Sequence, residues 1–312
     1  MIVWIVFIAF VLIFLALDLG VFHKNDHVIK SKEAGIWTAI WVTVAFSFSG
    51  VIYWLFNSGF IDNPTGLTPN NAVLKYITGY LIELSLSVDN IFVIAVIFSS
   101  FKIPPLYQHR VLFWGILGAI VFRALMIFFG VALITKFEWI IYIFGIFLLY
   151  TAFKMLKGDE NDFDPKNSFV FKQIKKIYPI TTTIHGHDFF VKKIGVNAAT
   201  PLFIALIVIE LTDILFALDS IPAILAITTD PFIVFTSNIL AILGLRSMYF
   251  LISRMLEKFR YINYSLVVIL AFVGLKMLFS HYLELPEWVS IVVISVALAS
   301  GVLSSMFIKE RD

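Results

Sequence analysis

Two strongly apolar stretches of this chain carry carboxylates that a lipid-spanning helix would ordinarily exclude. The first, GYLIELSLSVDNIFVIAVIF (79–98), holds Glu83 and Asp89; the second, VIELTDILFALDSIPAILAI (208–227), holds Glu210, Asp213 and Asp219. Asp18 lies in a third such stretch at the N-terminus. A charged carboxylate at mid-bilayer costs roughly 2.5–3.5 kcal/mol even on a lenient insertion scale. The arginines inside apolar runs are Arg123 and Arg246, so pairing with these alone sets six acids against two arginines and leaves four negative charges if all are ionised. Left unpaired, they would cancel a typical stability of roughly 5–15 kcal/mol. The pattern therefore points to binding of protons or of a cation. A purely structural ion-pair network, or acids that line water, is the competing explanation.

The residue types narrow the cation. All six histidines, at 23, 27, 109, 185, 187 and 281, fall in loops or at span ends, and there is no cysteine. Zinc and copper thereby lose their preferred nitrogen and sulfur ligands. Carboxylate, amide and hydroxyl oxygens, with Asn90 and Ser220 beside the acids, suit Mg²⁺, Ca²⁺ or Mn²⁺. Pro222 lacks an amide donor and frees the carbonyl of Leu218 as a further oxygen ligand. Met126 and Met248 lie near the arginines and could add a soft contact favouring manganese, although ordinary helix packing is the commoner role. His185, His187 and Asp188 could form a metal sensor, or simply a polar loop. No resident cofactor, no nucleic-acid partner and no enzymatic activity are expected.

On an unbroken helix, positions six apart differ by about 120°. Glu83 and Asp89 therefore do not share a face, and a common site needs a broken helix or several helices. Glu83, Ser87 and Asn90 do fall on one stripe, as do Glu210, Asp213 and Ser220.

These groups must be positioned by membrane helices. Of 312 residues, 60% are hydrophobic and 14% charged, and the mean hydropathy is +0.96, far from a soluble domain. The expected fold is all-α, a polytopic membrane protein with about nine transmembrane helices: a retained first helix, then spans near 34–56, 72–99, 111–134, 138–156, 198–229, 234–256, 262–280 and 287–308. Eighteen lysines and arginines fall in alternate connections and the C-terminal tail, with Lys154 counted in the loop it borders, against two on the opposite side. The positive-inside rule then places the N-terminus outside and the C-terminus in the cytoplasm of a cell inner membrane.

One offset of 130 residues sets Glu83 on Asp213, Asp89 on Asp219 and Asn90 on Ser220. The likeness continues, with Arg123 in GAIVFRALM matching Arg246 in AILGLRSMY, and Lys154 in AFKML matching Lys276 in GLKML. Spans three to five thus repeat as spans six to eight with opposite orientation, an inverted repeat of the kind that builds secondary transporters. The chain divides into 1–71, an N-terminal two-helix segment; 72–156, the first repeat; 157–197, a cytoplasmic loop in which HDFFVKKIGVNAA predicts a hairpin turning near Gly195; 198–280, the second repeat; and 281–312, a final helix and tail. A divergent duplication kept only for packing is the alternative.

The segments LDLGVFHKNDHVIKSKEA (17–34), GYLIELSLSVDNIFV (79–93), YQHRVLFWGILGA (107–119), YIFGIFLLYTAFKML (142–156), ATPLF (199–203) and residues 212–251 together resemble the TerC/Alx family of integral membrane proteins. Leu84 departs from that pattern, which often has Lys after the first Glu. The resemblance implies manganese homeostasis by Mn²⁺ export, with Asp18, Glu83, Asp89, Glu210, Asp213 and Asp219 as the acids at stake and Asn90 and Ser220 adjoining. Arg123 and Arg246 are expected to be counter-charges, and Glu83 and Asp213 the proton-exchanging pair. The expected partners are a divalent metal ion, protons and the bilayer. A non-transporting membrane scaffold in metal or tellurite stress, and a Ca²⁺ exchanger or channel, are the other readings.

Overall fold

The computed structural model describes residues 2–20, 30–63, 65–137, 139–157, 179–181, 184, 186–193, 196–253, 262–279 and 286–307. Among these, nine helices follow in order: α1 (Ile2–Gly20), α2 (Ser31–Ser58), α3 (Pro69–Ser100), α4 (Pro105–Lys136), α5 (Ile140–Leu156), α6 (Pro201–Leu225), α7 (Pro231–Ile252), α8 (Ile262–Leu278) and α9 (Glu287–Phe307). Each falls on one of the nine expected spans. Six are long and apolar enough to cross a membrane, while α1, α5 and α8 contain shorter apolar runs. Among the described residues the helices are joined by one hairpin, β1 (Phe190–Lys193) and β2 (Val196–Ala199), paired Phe190 to Ala199 and Lys193 to Val196, with a further bridge from Ile180 to Ala199. Its expected turn residue, Gly195, lies outside the described residues.

Local chemistry fixes where the helices begin. The four that form the centre, α3, α4, α6 and α7, all open on proline, whose missing amide hydrogen is no loss in a first turn. Thr68 caps α3 by accepting from the Asn71 amide, and Asp230 caps α7 by accepting from the amides of Phe232 and Ile233, each at 3.0 Å. Gly59 closes α2 at φ 70°, a left-handed position glycine adopts without strain.

The closest packing pairs α3 with α7, α4 with α6, α2 with α7, and α5 with α8. The helix most enclosed by protein is α7, and it nevertheless buries Thr236, Ser237, Asn238, Arg246 and Ser247. A polar side chain held there needs a partner within the bundle. Helix α1 lies against α2 and α7 through rings, Phe7 on Phe48 at 5.4 Å and Trp4 on Phe232 at 5.2 Å. Helices α5 and α8 meet at two glycines, where a methyl on Gly145 would come within 3.0 Å of the Gly274 carbonyl and one on Gly274 within 2.9 Å of the Gly145 carbonyl. On α8, the repeated lysine Lys276 donates to Ser290 of α9 at 3.1 Å.

The hairpin sits at the start of α4. His187 meets the Tyr107 ring edge-on at 5.0 Å, and the Arg110 guanidinium lies 5.2 Å from the Phe189 ring centre. Thr200 donates to the carbonyls of Asp188 and Phe189, tying the hairpin to the first turn of α6.

A candidate cation site between four helices

The carboxylates come together because separate helices carry them to one buried guanidinium. Arg123 of α4 is 1% exposed. Its Nε donates to Asp213 Oδ2 of α6 at 3.2 Å, and its Nη2 to Asp213 Oδ1 at 2.8 Å, forming a two-pronged clasp. Nη1 donates to Glu83 of α3 in a close ion pair and to Asn238 Oδ1 of α7 at 3.1 Å, with Ser220 Oγ at the limit of contact, 3.5 Å. Asn90 of α3 completes the ring by donating to Asp213 Oδ1 at 3.3 Å. Two carboxylates and one guanidinium leave one excess negative charge when both acids are ionised. The planar fork of arginine suits this bridging position in a way an ammonium cannot.

The two stripes account for which residues arrive. Glu83 and Asn90 face the guanidinium and Asp213 from α3, and Asp213 and Ser220 do so from α6. Off that stripe, Asp219 turns to α5, where Thr151 donates to it at 3.0 Å and Lys154 lies within electrostatic reach. The helix runs on through Pro222 to Leu225, so the site is assembled from several helices and not at a break. Asp18 and Asp89 lie on α1 and α3, but their side chains lie outside the described residues. Arg246 is buried in α7, and Met126 and Met248 pack in the apolar core. Among the described residues no three acids or histidines gather as a metal-binding group. Of the proposed sensor trio, His185 lies outside the described residues.

Glu210, one turn before Asp213, projects against α4 at Gly118. A side-chain methyl at position 118 would overlap its carboxylate. Oε2 of Glu210 has no hydrogen-bond partner among the described residues, and the same holds for Glu83 Oε2 and Asn90 Oδ1. Beside Asp213 is a cavity of about 20 Å³ lined by Asn90, Gly115, Ala119, Thr212 and Asp213 with apolar neighbours. That is room for one water or one ion. Its lining from α4 spans Leu112 to Ala119 and its lining from α7 spans Ile242 to Leu245, so it extends from the guanidinium toward the end of the bundle that carries the hairpin.

Asn238, Gly118 and Thr151 were not among the sequence candidates. Asn238 had a signal, an amide alone in the apolar run NILAILGL eight residues before Arg246. Gly118 and Thr151 had none, because their roles are set by what lies across from them.

Residues 68–312 match the integral membrane protein TerC family. A Myxococcus xanthus membrane protein described as uncharacterized, STKORF319, is 50% identical over 308 residues, covering 99% of this chain and 92% of the relative. An uncharacterized membrane protein of Rickettsia felis is 44% identical over 306 residues, covering 98% of each. A protein of Escherichia coli K12, provisionally described as the membrane-bound redox modulator Alx, is 42% identical over 306 residues, covering 98% of this chain and 92% of the relative. No solved structure matches the chain.

Proposed function

The chain belongs to the TerC family of integral membrane proteins, and from that premise and the buried cluster we propose that it is a secondary transporter that exports Mn²⁺ in exchange for protons across the inner membrane. The observation that carries this reading is the meeting of Glu83 and Asp213, equivalent positions of the sequence repeat, on one buried cation beside an ion-sized cavity. Carriers built from inverted repeats bind their cargo where the halves meet. The helix pairing is also symmetric under exchange of the halves: α3 packs on α7 as its counterpart α6 packs on α4, and α5 packs on its own counterpart α8.

Physical arithmetic favours exchange over passive flow. Moving one elementary charge against the membrane potential costs about 2.3 kcal/mol per 100 mV, so expelling a divalent ion from a negative interior costs about 4.6 kcal/mol at that potential. Exchange for two protons is electrically neutral. Acids in close company suit it, because bound metal displaces their protons. The oxygen-only ligand set fits a hard divalent ion. With no cysteine in the chain, thiol redox chemistry, which the description of the E. coli relative could suggest, has no residue to act through. No catalytic chemistry is proposed.

The test is flux in proteoliposomes containing only this protein. An imposed pH gradient drives Mn²⁺ opposite to protons, and Glu83→Gln or Asp213→Asn weakens that dependence. Flux that follows voltage alone would reject exchange in favour of a channel, and no flux at all would favour a scaffold.

A further inference from the structure

We infer that Arg123 is a displaceable plug: its guanidinium occupies the position a divalent cargo ion must take between Glu83 and Asp213, and the ion gains access to Glu83 by dislodging it. The inference rests on the transporter reading above and assigns selectivity within the same site.

From this cavity the two acids are unequally accessible. Asp213 lines the cavity and its side chain is 15% exposed, whereas the Glu83 side chain is 1% exposed and takes no part in the lining. Between them stands Arg123. An ion in the cavity therefore meets Asp213 first and finds Glu83 behind a cation already in place. The oxygens that would hold it are partly idle. Asn90, 4% exposed and in the cavity wall, has an Oδ1 with no partner among the described residues, and Glu83 Oε2 is equally unused. Together with the Asp213 carboxylate these make an oxygen set of the kind hard divalent ions take.

Charge decides which ions can dislodge the plug. A guanidinium delivers one positive charge with donors shaped for carboxylates. Sodium or potassium would bring only the same single charge, and so would exchange the clasped, directional hydrogen bonds for ion–oxygen contacts with no gain in charge. A divalent ion brings twice the charge to a site whose two acids balance it. The plug thus keeps the abundant monovalent cations out of a pocket whose carboxylates would otherwise attract them.

The full-length protein in lipid nanodiscs is titrated with Mn²⁺ at alkaline pH. The loss of the free-ion paramagnetic resonance signal reads binding, once in sodium chloride and once in choline chloride. The wild type binds equally in both salts. Arg123→Gln binds at least about tenfold tighter in choline, equivalent to about 1.4 kcal/mol, and sodium removes the gain. Arg123→Lys keeps the charge but not the fork, falls between the two, and decides the matter if the glutamine variant does not fold. Folded variants that bind Mn²⁺ no tighter than the wild type, or without sensitivity to sodium, overturn the plug and leave the transporter reading standing. Absence of Mn²⁺ binding in the wild type and both variants overturns the transporter reading itself.

Discussion

Asp213→Asn and Asp219→Asn are the same chemical change six residues apart on one helix, and the structure assigns them unequal penalties. Asp213 receives two bonds from a fully buried guanidinium and a third from Asn90. Removing one member of a buried ion pair costs about 3–5 kcal/mol, since the other charge stays behind uncompensated. An amide still offers one acceptor to Arg123, and Glu83 still pairs with it, so the lower end, about 3 kcal/mol, applies. Asp219 is half-buried and takes one hydroxyl bond, from Thr151. An asparagine oxygen accepts that bond equally, leaving a cost of about 1 kcal/mol or less. At about 2 °C per kcal/mol for a large chain, the midpoints fall by ~6 °C and ~2 °C. The seven tryptophans give an intrinsic fluorescence signal for thermal unfolding in detergent, checked by size exclusion. Combining Asp213→Asn with Arg123→Gln loses less than the sum of the two, as members of one network do. An Asp219→Asn shift as large as that of Asp213→Asn would refute the claim that these acids occupy different surroundings.

Three further outcomes follow from named contacts. Gly118→Leu destabilises by about 1–3 kcal/mol through overpacking, and adding Glu210→Ala returns most of the loss; a double variant no better than the single would mean that the leucine meets something other than this carboxylate. Gly274→Val forces apart backbones that touch at Gly145, and about 2–3 kcal/mol should appear as a lowered unfolding midpoint, greater than for valine at Gly50, which has nothing within 4 Å of its would-be side chain. Asp230→Ala removes the α7 cap and costs about 1 kcal/mol, while Asp230→Asn, which can still accept from the same amides, recovers most of it; equal losses in melting experiments would show that the cap is not what matters.

Much of the bundle was legible beforehand because lipid demands long apolar helices, and that demand is written along the chain. Glu83 and Asp213 stood out in the sequence as matched positions of the expected repeat, whereas Asp219, expected at the same site, turns instead to Thr151 of α5, as its place 120° from Asp213 on the helix allows. Which neighbour each face meets could not be read from the repeat. That Asp219 finds Thr151, or that Glu210 finds the empty side of Gly118, depends on tertiary contacts that leave no local mark. The excess of six acids over two arginines was also only half legible: Arg123 serves both Glu83 and Asp213 at once, which the count of arginines does not reveal.

Arg123 can also be viewed mechanically. The closest pairings of the four central helices are α3 with α7 and α4 with α6. The arginine belongs to the second pair, grips Asp213 within it, and reaches across to Glu83 and Asn238 in the first. It is a single pin driven through two laminated beams. With the pin seated, sliding of one beam along the other strains several bonds in the same side chain together. With it withdrawn, the polar ties still crossing the seam include Asn90 to Asp213 and Tyr249 to Gln108, so the step that empties the space between the acids is also the step that loosens the beams.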